Sequence, residues 1–281
     1  MNISNIGTQT LFCTVTNKAG SVNSRIATLT IGSPIPSKDI FSKSSKLIPE
    51  DAYNWRMEIY EAGIFTPPRD MEVDVFLVGG GGGGGAGSAS GGGGGGGYAQ
   101  TYRNLQLIAH QPYPIVIGAG GAQNSRGGTS SAFGKQTEGG YPGGSYVYSA
   151  GGNGGSGGGA GFYNAQGGKG GSNGGNGANV TAEYNDRTYT AVGGQGQGTT
   201  TYAFEDSSLS QYAGGGGGGH WKGAGGEGGG GTGGHSYVGS SYGWAHGTDG
   251  LPNTGGGGGG GGESTNGGTG GSGIVIVRNA R

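Results

Sequence analysis

Aromatic residues set among serine and glycine are the side chains in this sequence best suited to contact a ligand. They occur in four loops: YPGGSYVYS at 141–149, FYN at 162–164, HWK at 220–222 and SYVGSSYGWAHGT at 236–248. Antibody loops use this mixture because Tyr and Trp give large contact area at low entropic cost, while Ser and Gly adapt. Aromatic faces also suit the flat C–H surfaces of sugars. The predicted contact residues are Tyr141, Tyr146, Tyr148, Trp221, Tyr237, Tyr242 and Trp244.

The same rings have a second interpretation. They could cap the ends of a packed glycine structure and shield its last hydrogen bonds, which would be a purely structural role. The sequence leaves both interpretations open for the group of seven and favours capping for any single ring.

Side chains with catalytic or metal-binding potential lack the spacing that such sites need. The four histidines show no metal-like spacing with one another or with Cys13. A phosphate-binding loop would need Ser or Thr after its lysine, but glycine follows Lys169. Glu205 and Asp206 stand in a serine-rich loop, whereas a glycan hydrolase needs two carboxylates held across a cleft. We therefore predict no enzymatic activity, no metal and no cofactor.

Glycine decides which elements can hold the aromatic loops in place. The chain has 80 Gly among 281 residues, and Gly loses more backbone freedom on folding than any other residue. At 1–2 kcal/mol per residue, ordering them costs on the order of 100 kcal/mol, with no side chains to bury in return. Either the glycines stay disordered, or their backbone groups hydrogen-bond to one another in a dense array.

The spacing of the non-glycine residues favours the ordered alternative. The stretch from 151 reads GGN-GGS-GGG-AGF and the stretch from 167 reads GGK-GGS-NGG-NGA. Three residues is the period of the polyproline II helix, which has no internal hydrogen bonds and must bond to neighbours. Two glycine faces out of three let such helices pack backbone to backbone. The sequence predicts a polyglycine II bundle whose third positions, Asn153 among them, tolerate substitution.

Short apolar strands separate the glycine runs. The predicted strands lie near 55–60, 71–78, 98–108, 114–118, 186–192 and 273–278. Their brevity and their β-branched residues are typical of a β-sandwich. The expected fold is all-β: a jelly-roll-like sandwich carrying an inserted polyglycine II bundle, with almost no α-helix.

The chain divides into three predicted parts. Residues 1–32 resemble the last two strands of an immunoglobulin-like domain, since LFCTVTN is followed by Gly20, although Leu11 replaces the expected tyrosine. Residues 33–52 have the proline, serine and lysine composition of a linker. Residues 53–281 form the predicted glycine-rich domain.

Net charge and apolar runs exclude several classes of partner. The 16 acidic and 15 basic residues give a net charge of -1, so binding to nucleic acid phosphates has little support. The longest apolar runs have four residues, too few to span a membrane. We see no secretory signal at the N-terminus and expect synthesis in a cytoplasm followed by release without signal cleavage.

The ordered landmarks between the glycine runs resemble one family. EAGIFTPP, VDVFLVGGGGGGG, IAHQPYPIVIGAGG and GGSGIVIVR are similar to the glycine-rich domain of tail-associated proteins in phages and prophages of Gram-positive bacteria. They also resemble the glycine-rich ectodomain of certain animal receptor kinases, in which a sandwich carries polyglycine helices. One departure is TYAFEDSSLSQY, where the resemblance predicts glycine after Phe204.

The resemblance implies a virion or extracellular component near the host-contacting end of a tail. The predicted function is a structural and adhesive part of a phage tail or cell-surface appendage. Its partners would be other tail proteins and a host-surface glycan, and its oligomeric state stays open. The alternatives are a glycan-degrading tail enzyme and a glycine-rich ice-binding or extracellular structural protein.

Overall fold

The computed structural model describes residues 7–280 except 12–13, 18–19, 24–26, 32–34, 87–89, 147–148, 163–166 and 239–240. The described part is all-β, with only two 3-10 segments, Lys38–Ile40 and Ala203–Glu205. The strands are β1 Gly7–Leu11, β2 Thr14–Asn17, β3 Gly20–Asn23, β4 Ala27–Ile31, β5 Ser45–Pro49, β6 Trp55–Ile59, β7 Gly63–Phe65, β8 Met71–Val78, β9 Ala99–Leu107, β10 Tyr113–Ile115, β11 Ser130–Ala132, β12 Lys135–Thr137, β13 Val180–Tyr184, β14 Arg187–Ala191, β15 Tyr237–Val238, β16 Ser241–Tyr242 and β17 Ile274–Asn279.

The N-terminal segment pairs with itself. Strand β1 pairs antiparallel with β4, and β2 pairs antiparallel with β3. Asn17 lies opposite Gly20, at the two ends of the predicted NKAG turn. Residues 18 and 19 of that turn lie outside the described residues. Cys13 lies outside the described residues. The immunoglobulin-like origin of this segment stays a prediction.

Residues predicted to be a linker contribute to the main sheet. Strand β5 pairs antiparallel with β6, and the side chains of Ile40 and Phe41 are buried in the core. The segment is rich in Pro, Ser and Lys, but its few apolar residues are enough for one edge strand and one core contact. The sheet therefore begins before residue 53.

A five-stranded antiparallel sheet, in the order β5-β6-β17-β8-β9, organises the rest of the chain. One face packs against a second layer in which β7 pairs with β10, β11 pairs with β12, and Val116 bridges to Ser131. The buried residues between these layers include Trp55, Met57, Phe65, Val75, Ile115, Val275 and Val277. The jelly-roll connectivity stays a prediction.

The opposite face of the sheet has its own core. Phe76 and Ile276 pack there against Phe204, Tyr212 and Ala213 from the loop that precedes a glycine run. Strand β14, which we expected in the sandwich, instead forms a hairpin with β13. The pair packs on Ala160 and Phe162 of the glycine region. A strand that alternates in sequence can equally be half-covered by another element, so its partner was not predictable from its pattern.

The glycine runs form a hydrogen-bonded bundle with a period of three residues. In segment 79–85, every third amide donates to the same neighbouring segment. Gly79, Gly82 and Gly85 donate to the carbonyls of Tyr98, Gly95 and Gly92 at 3.0, 2.8 and 2.8 Å. A period of three is that of polyproline II geometry, so the triplet pattern in the sequence correctly predicts this arrangement.

Each central segment is surrounded by other segments. Segment 79–85 donates hydrogen bonds to 92–98, 125–128 and 268–271, and accepts them from 121–124, 140–143 and 258–261. Six neighbours satisfy both the donors and the acceptors of the run, although all of its residues are buried. Backbone hydrogen bonds thus take the place of an apolar core.

Contact between these backbones leaves no space for a side chain. A Cβ atom at Gly81 would lie 2.0 Å from the carbonyl oxygen of Gly256, and one at Gly257 would lie 2.0 Å from that of Gly94. Real Cβ atoms do not approach oxygen so closely. Glycine is therefore required at these positions by close packing rather than by an unusual backbone angle.

Candidate binding surface at the distal end of the glycine bundle

The bundle has one end at the sheet and one end away from it. Gly79 follows β8 directly, and its amide donates to Tyr98, which immediately precedes β9. Six residues later, Gly85 pairs with Gly92, and Gly219 donates to the carbonyl of Gly91 at 2.8 Å. We call the level of residues 85, 91 and 219 the distal end. A seven-residue polyproline II segment spans about 22 Å, which separates the two ends.

Most of the predicted aromatic contact residues belong to loops at the distal end. Ser145 and Tyr146 follow Gly144, whose amide donates to the carbonyl of Ala150. Gly144 in turn accepts from the amide of Gly92 at the distal level. Residues 220–222 follow Gly219 directly. Gly234, which donates to Gly260, immediately precedes His235, and Ala245 and His246 immediately precede Gly247, which donates to Asn266.

The backbone of His235 pairs with the segments that carry Trp221 and Trp244. Trp221 forms an isolated antiparallel bridge with His235. The amide of Ala245, next to Trp244, donates to the carbonyl of His235 at 2.8 Å. The two tryptophans are 44% and 64% exposed, although they are the largest apolar side chains available. His235 was not among the predicted contact residues, because a lone histidine between glycine and serine carries no distinctive pattern.

A buried histidine anchors this pair of loops. His220 is fully buried, and its ring packs edge-on against Trp221 with centroids 5.7 Å apart. Its Nδ1 lies 3.2 Å from the hydroxyl of Ser236, and its carbonyl accepts the amide of Ser236. The hydroxyl of Ser236 also accepts the amide of Glu263 at 2.7 Å. These bonds tie three loops together and fix the backbone that carries Trp221.

Tyr146 and Tyr141, two of the predicted contact residues, lie at different places on the bundle. Tyr146 lies in the distal loop, is 69% exposed and has a left-handed backbone with φ of 77°. Tyr141 lies on the flank instead, because its carbonyl accepts the amide of Gly95 in mid-bundle. The guanidinium of Arg126 lies 4.1 Å from the centre of the Tyr141 ring. Tyr141 therefore does not belong to the distal surface.

The remaining aromatic residues are placed only in part. Tyr237 and Tyr242 lie directly opposite each other in the β15–β16 hairpin. Tyr148 lies outside the described residues. Phe162, in the predicted FYN loop, is buried in a small apolar cluster and cannot be a contact residue. The distal surface is therefore defined here by Tyr146, Trp221 and Trp244.

The carboxylates considered for catalysis have different surroundings. One oxygen of Asp206 accepts the amide and the hydroxyl of Ser208 at 2.9 and 2.6 Å, which closes a turn. These bonds, the side-chain bond first, lower the pKa of Asp206. Glu205 is exposed and lies 3.6 Å from a guanidinium nitrogen of Arg103. A carboxylate held ionised by a turn is a poor proton donor, so Asp206 is not suited to act as a general acid.

The described residues contain no group of three or more His, Cys, Asp or Glu that could hold a metal ion. No helix in this part of the chain is long and apolar enough to cross a membrane. No curated protein matches the chain. The family model described as a glycine-rich domain matches residues 60–280, which include strands β7 to β17 and the whole bundle. By this match over most of its length, the chain belongs to the glycine-rich domain family.

Proposed function

We propose that this chain is a non-catalytic structural and adhesive component of a phage tail or a cell-surface appendage, and that its distal loops bind a host-surface polymer. One observation carries the proposal: Tyr146, Trp221 and Trp244 are strongly exposed at the end of the bundle farthest from the sheet. Tyr and Trp dominate the energetics of binding surfaces. Their flat faces suit the C–H surfaces of sugars, so we propose a glycan as the polymer.

The path of the chain supports a display role. The amide of Trp55, at the start of β6, donates to the side chain of Asn279, at the end of β17, at 2.9 Å. The start of β6 and the end of β17 therefore meet at the end of the sheet farthest from the bundle, whereas β5 enters the sheet at Ser45, opposite Ile59, at the other end. A six-residue strand and a seven-residue glycine segment together span on the order of 40 Å. A neighbouring protein attached beside Asn279 would hold the aromatic loops well away from itself.

The hydrogen bonding of the bundle supports the proposal that it acts as a rigid platform for the loops. Its segments are held by direct backbone hydrogen bonds on all sides, so few internal motions are available to it. Rigid support lowers the entropic cost of binding, because loop geometry is set before the partner arrives. Loop residues can vary without disturbing the glycine contacts beneath them. The family resemblance at the sequence level supports placing such a module in a tail.

The test compares aromatic variants with an exposed apolar control. Trp221→Ala and Trp244→Ala are measured for adsorption to cell walls and surface polysaccharides purified from a panel of Gram-positive bacteria. Leu251→Ala is the matched control, because Leu251 is 60% exposed but donates its amide to Gly229, away from the distal loops. We expect each tryptophan variant to adsorb at least about tenfold more weakly, as for a binding hot spot. The control should adsorb normally.

The capping interpretation makes the opposite prediction. If the rings only shield the end of the bundle, both tryptophan variants melt at lower temperature and adsorb as the unaltered protein does. Absence of adsorption by the unaltered protein to every wall and polysaccharide in the panel contradicts the adhesive role itself.

A further inference from the structure

A second candidate site lies at the junction of the sheet and the bundle, at the end opposite to the distal loops. It is an open cavity of about 410 Å³, on the outer side of edge strand β9. Its lining includes Phe76, Tyr98, Gln100, Thr101, Thr200 and Glu205. Ligand-binding clefts have volumes of about 300–1,000 Å³, so the cavity is large enough for a small molecule.

The lining combines two aromatic rings with neutral polar groups and one carboxylate. Tyr98 supplies the accessible aromatic ring, since Phe76 lies in the wall but is only 1% exposed, and amide and hydroxyl side chains supply most of the rest. The side chain of Gln197, also in the wall, is held on both sides of its amide. Its Oε1 accepts the amide of Ala99 at 2.9 Å, and its Nε2 donates to the carbonyl of Ala99 at 3.0 Å. One wall of the cavity is therefore fixed to β9 before any ligand arrives.

Glu205, on the rim, has a backbone conformation that is unfavourable for its residue type. Its φ is 63°, and the preceding residue, Phe204, has φ of 56°. The left-handed region is adopted at little cost by glycine, but it strains residues with long side chains. Strained residues persist where the surroundings fix them, and they cluster at functional sites.

The loop that carries Glu205 is held in place by the contacts of Phe204. Its ring lies 6.2 Å from that of Phe76 and 4.0 Å from the guanidinium of Arg278, centre to centre. Its carbonyl accepts a hydrogen bond from Arg103 at 2.9 Å. The loop is thus held by Phe204, and the left-handed position that follows could be filled by glycine without losing any of these contacts.

The ion pair of Glu205 does not explain why glutamate occupies this position. The carboxylate lies 3.6 Å from Arg103, and the two side chains are 63% and 42% exposed. Ion pairs this exposed stabilise a fold very little. The nearby guanidinium is already bonded to Phe204 and to Asp74. Other non-glycine residues of the chain, such as Phe133 and Lys222, also have a left-handed backbone. Glu205 differs from them in that its side chain lines the cavity.

We propose that this cavity binds a sugar unit and that the Glu205 carboxylate accepts hydrogen bonds from its hydroxyl groups. The lining excludes other classes of ligand by charge and polarity. Glu205 repels an anion, and its ion pair with Arg103, which lies outside the lining, offsets its attraction for a cation. An apolar ligand would displace water from the Glu205 carboxylate without a compensating hydrogen bond, which is unfavourable. A neutral polyhydroxy molecule can donate hydrogen bonds to this carboxylate while its C–H face contacts the Tyr98 ring. The proposal concerns a site separate from the distal loops and goes beyond the adhesive function.

The test uses monosaccharides as probes on the whole chain. Binding of methyl glycosides of glucose, galactose and N-acetylglucosamine is measured at millimolar concentration by saturation-transfer NMR and calorimetry. Two variants remove the carboxylate: Glu205→Gln keeps the shape of the side chain, and Glu205→Gly relieves the backbone strain. Asp186→Gly is the matched control, because Asp186 also has a left-handed backbone, with φ of 55°, but lies in the turn of the β13–β14 hairpin.

We expect at least one sugar to bind the unaltered protein and the Asp186→Gly control alike. Both Glu205 variants should bind it at least tenfold more weakly, while Glu205→Gly melts at the same temperature as the unaltered protein or higher. Three results would overturn the proposal: none of the sugars binds, the Glu205 variants bind as well as the unaltered protein, or Glu205→Gly loses thermal stability while Glu205→Gln keeps full binding. The last result would assign Glu205 a structural role.

Discussion

The guanidinium of Arg278 holds the carboxylate of Asp74 inside the sheet, with Nε and Nη2 both 3.1 Å from the same oxygen. The two residues lie directly opposite each other on β17 and β8. The Asp74 side chain is only 1% exposed, and that of Arg278 is 10% exposed. The same carboxylate also accepts the amide of Asn104 at 3.1 Å, where β9 is bulged. A buried charge is thus compensated by a cation and by a backbone donor.

Replacing Asp74 by Ala should be strongly destabilising. The variant leaves the Arg278 charge buried without its partner, and breaking one side of such a pair costs about 3–5 kcal/mol. The free energy of unfolding, measured by urea denaturation, gives the result. Glu138→Gln is the control, since the Arg126–Glu138 pair has side chains 38% and 61% exposed and should contribute less than about 1 kcal/mol. Equal losses in the two variants would contradict this account of the pair.

Replacing a glycine in the centre of the bundle should destabilise the fold more, the closer the new Cβ atom lies to a neighbouring backbone. Gly81→Ala places Cβ 2.0 Å from a carbonyl oxygen, whereas Gly144→Ala places it 3.1 Å from its nearest neighbour. The first change must separate two segments, and each buried hydrogen bond lost costs about 1–3 kcal/mol. We expect Gly81→Ala to lower the melting temperature far more than Gly144→Ala. The order of the two melting temperatures is the decisive observation.

Three asparagines outside the central glycine runs should stabilise segment 193–197. The side-chain oxygens of Asn179, Asn153 and Asn176 accept the amides of residues 193, 195 and 196 at 2.7, 2.7 and 2.8 Å. Each Asn→Ala change should cost about 1 kcal/mol and expose the matching amide to hydrogen exchange. The amides of Gly194 and Gln197 donate to backbone carbonyls and should keep their protection. Unchanged exchange at all five amides would show that these side chains do not hold the segment.

Alkaline pH should weaken the fold through Tyr212. Burial raises the pKa of Tyr212 to about 12, compared with about 10 in an unfolded chain. The folded state therefore keeps a proton that the unfolded state loses, so stability is constant below about pH 10 and falls as pH rises toward 12. Tyr212→Phe should remove part of this decline in urea midpoints. Tyr146→Phe, at a site 69% exposed, should not.

The local elements of this fold are readable from its residues. All six predicted strands are present, and the triplet period correctly predicts segments with three residues per turn. Both depend on short-range spacing, which a single sequence displays. Asn153 shows the limit of this reasoning. It is exposed, as its third position predicts, but its side-chain oxygen accepts the amide of Gln195, so we now expect substitution there to cost stability.

The long-range partners could not be predicted. The neighbours of segment 79–85 come from residues as far apart as 92 and 271, and identical glycines contain no signal for choosing among them. Tyr141 illustrates the consequence for the candidate site. Its loop looks like the other aromatic loops, yet its register with Gly95 places it on the flank. The resemblance predicts glycine at position 205, and the structure has a left-handed residue there, a conformation that the sequence alone left open.

The six-neighbour packing of the glycine segments has a thermodynamic consequence. Unfolding a hydrocarbon core exposes apolar surface, which raises heat capacity, but unfolding this bundle exposes mainly peptide groups, which lower it. The heat-capacity change per residue should therefore fall below the usual value of about 12–15 cal/mol/K. A small heat-capacity change flattens the curve of unfolding free energy against temperature. The bundle should consequently resist cold about as well as moderate warmth, because little of its stability comes from a force that weakens on cooling.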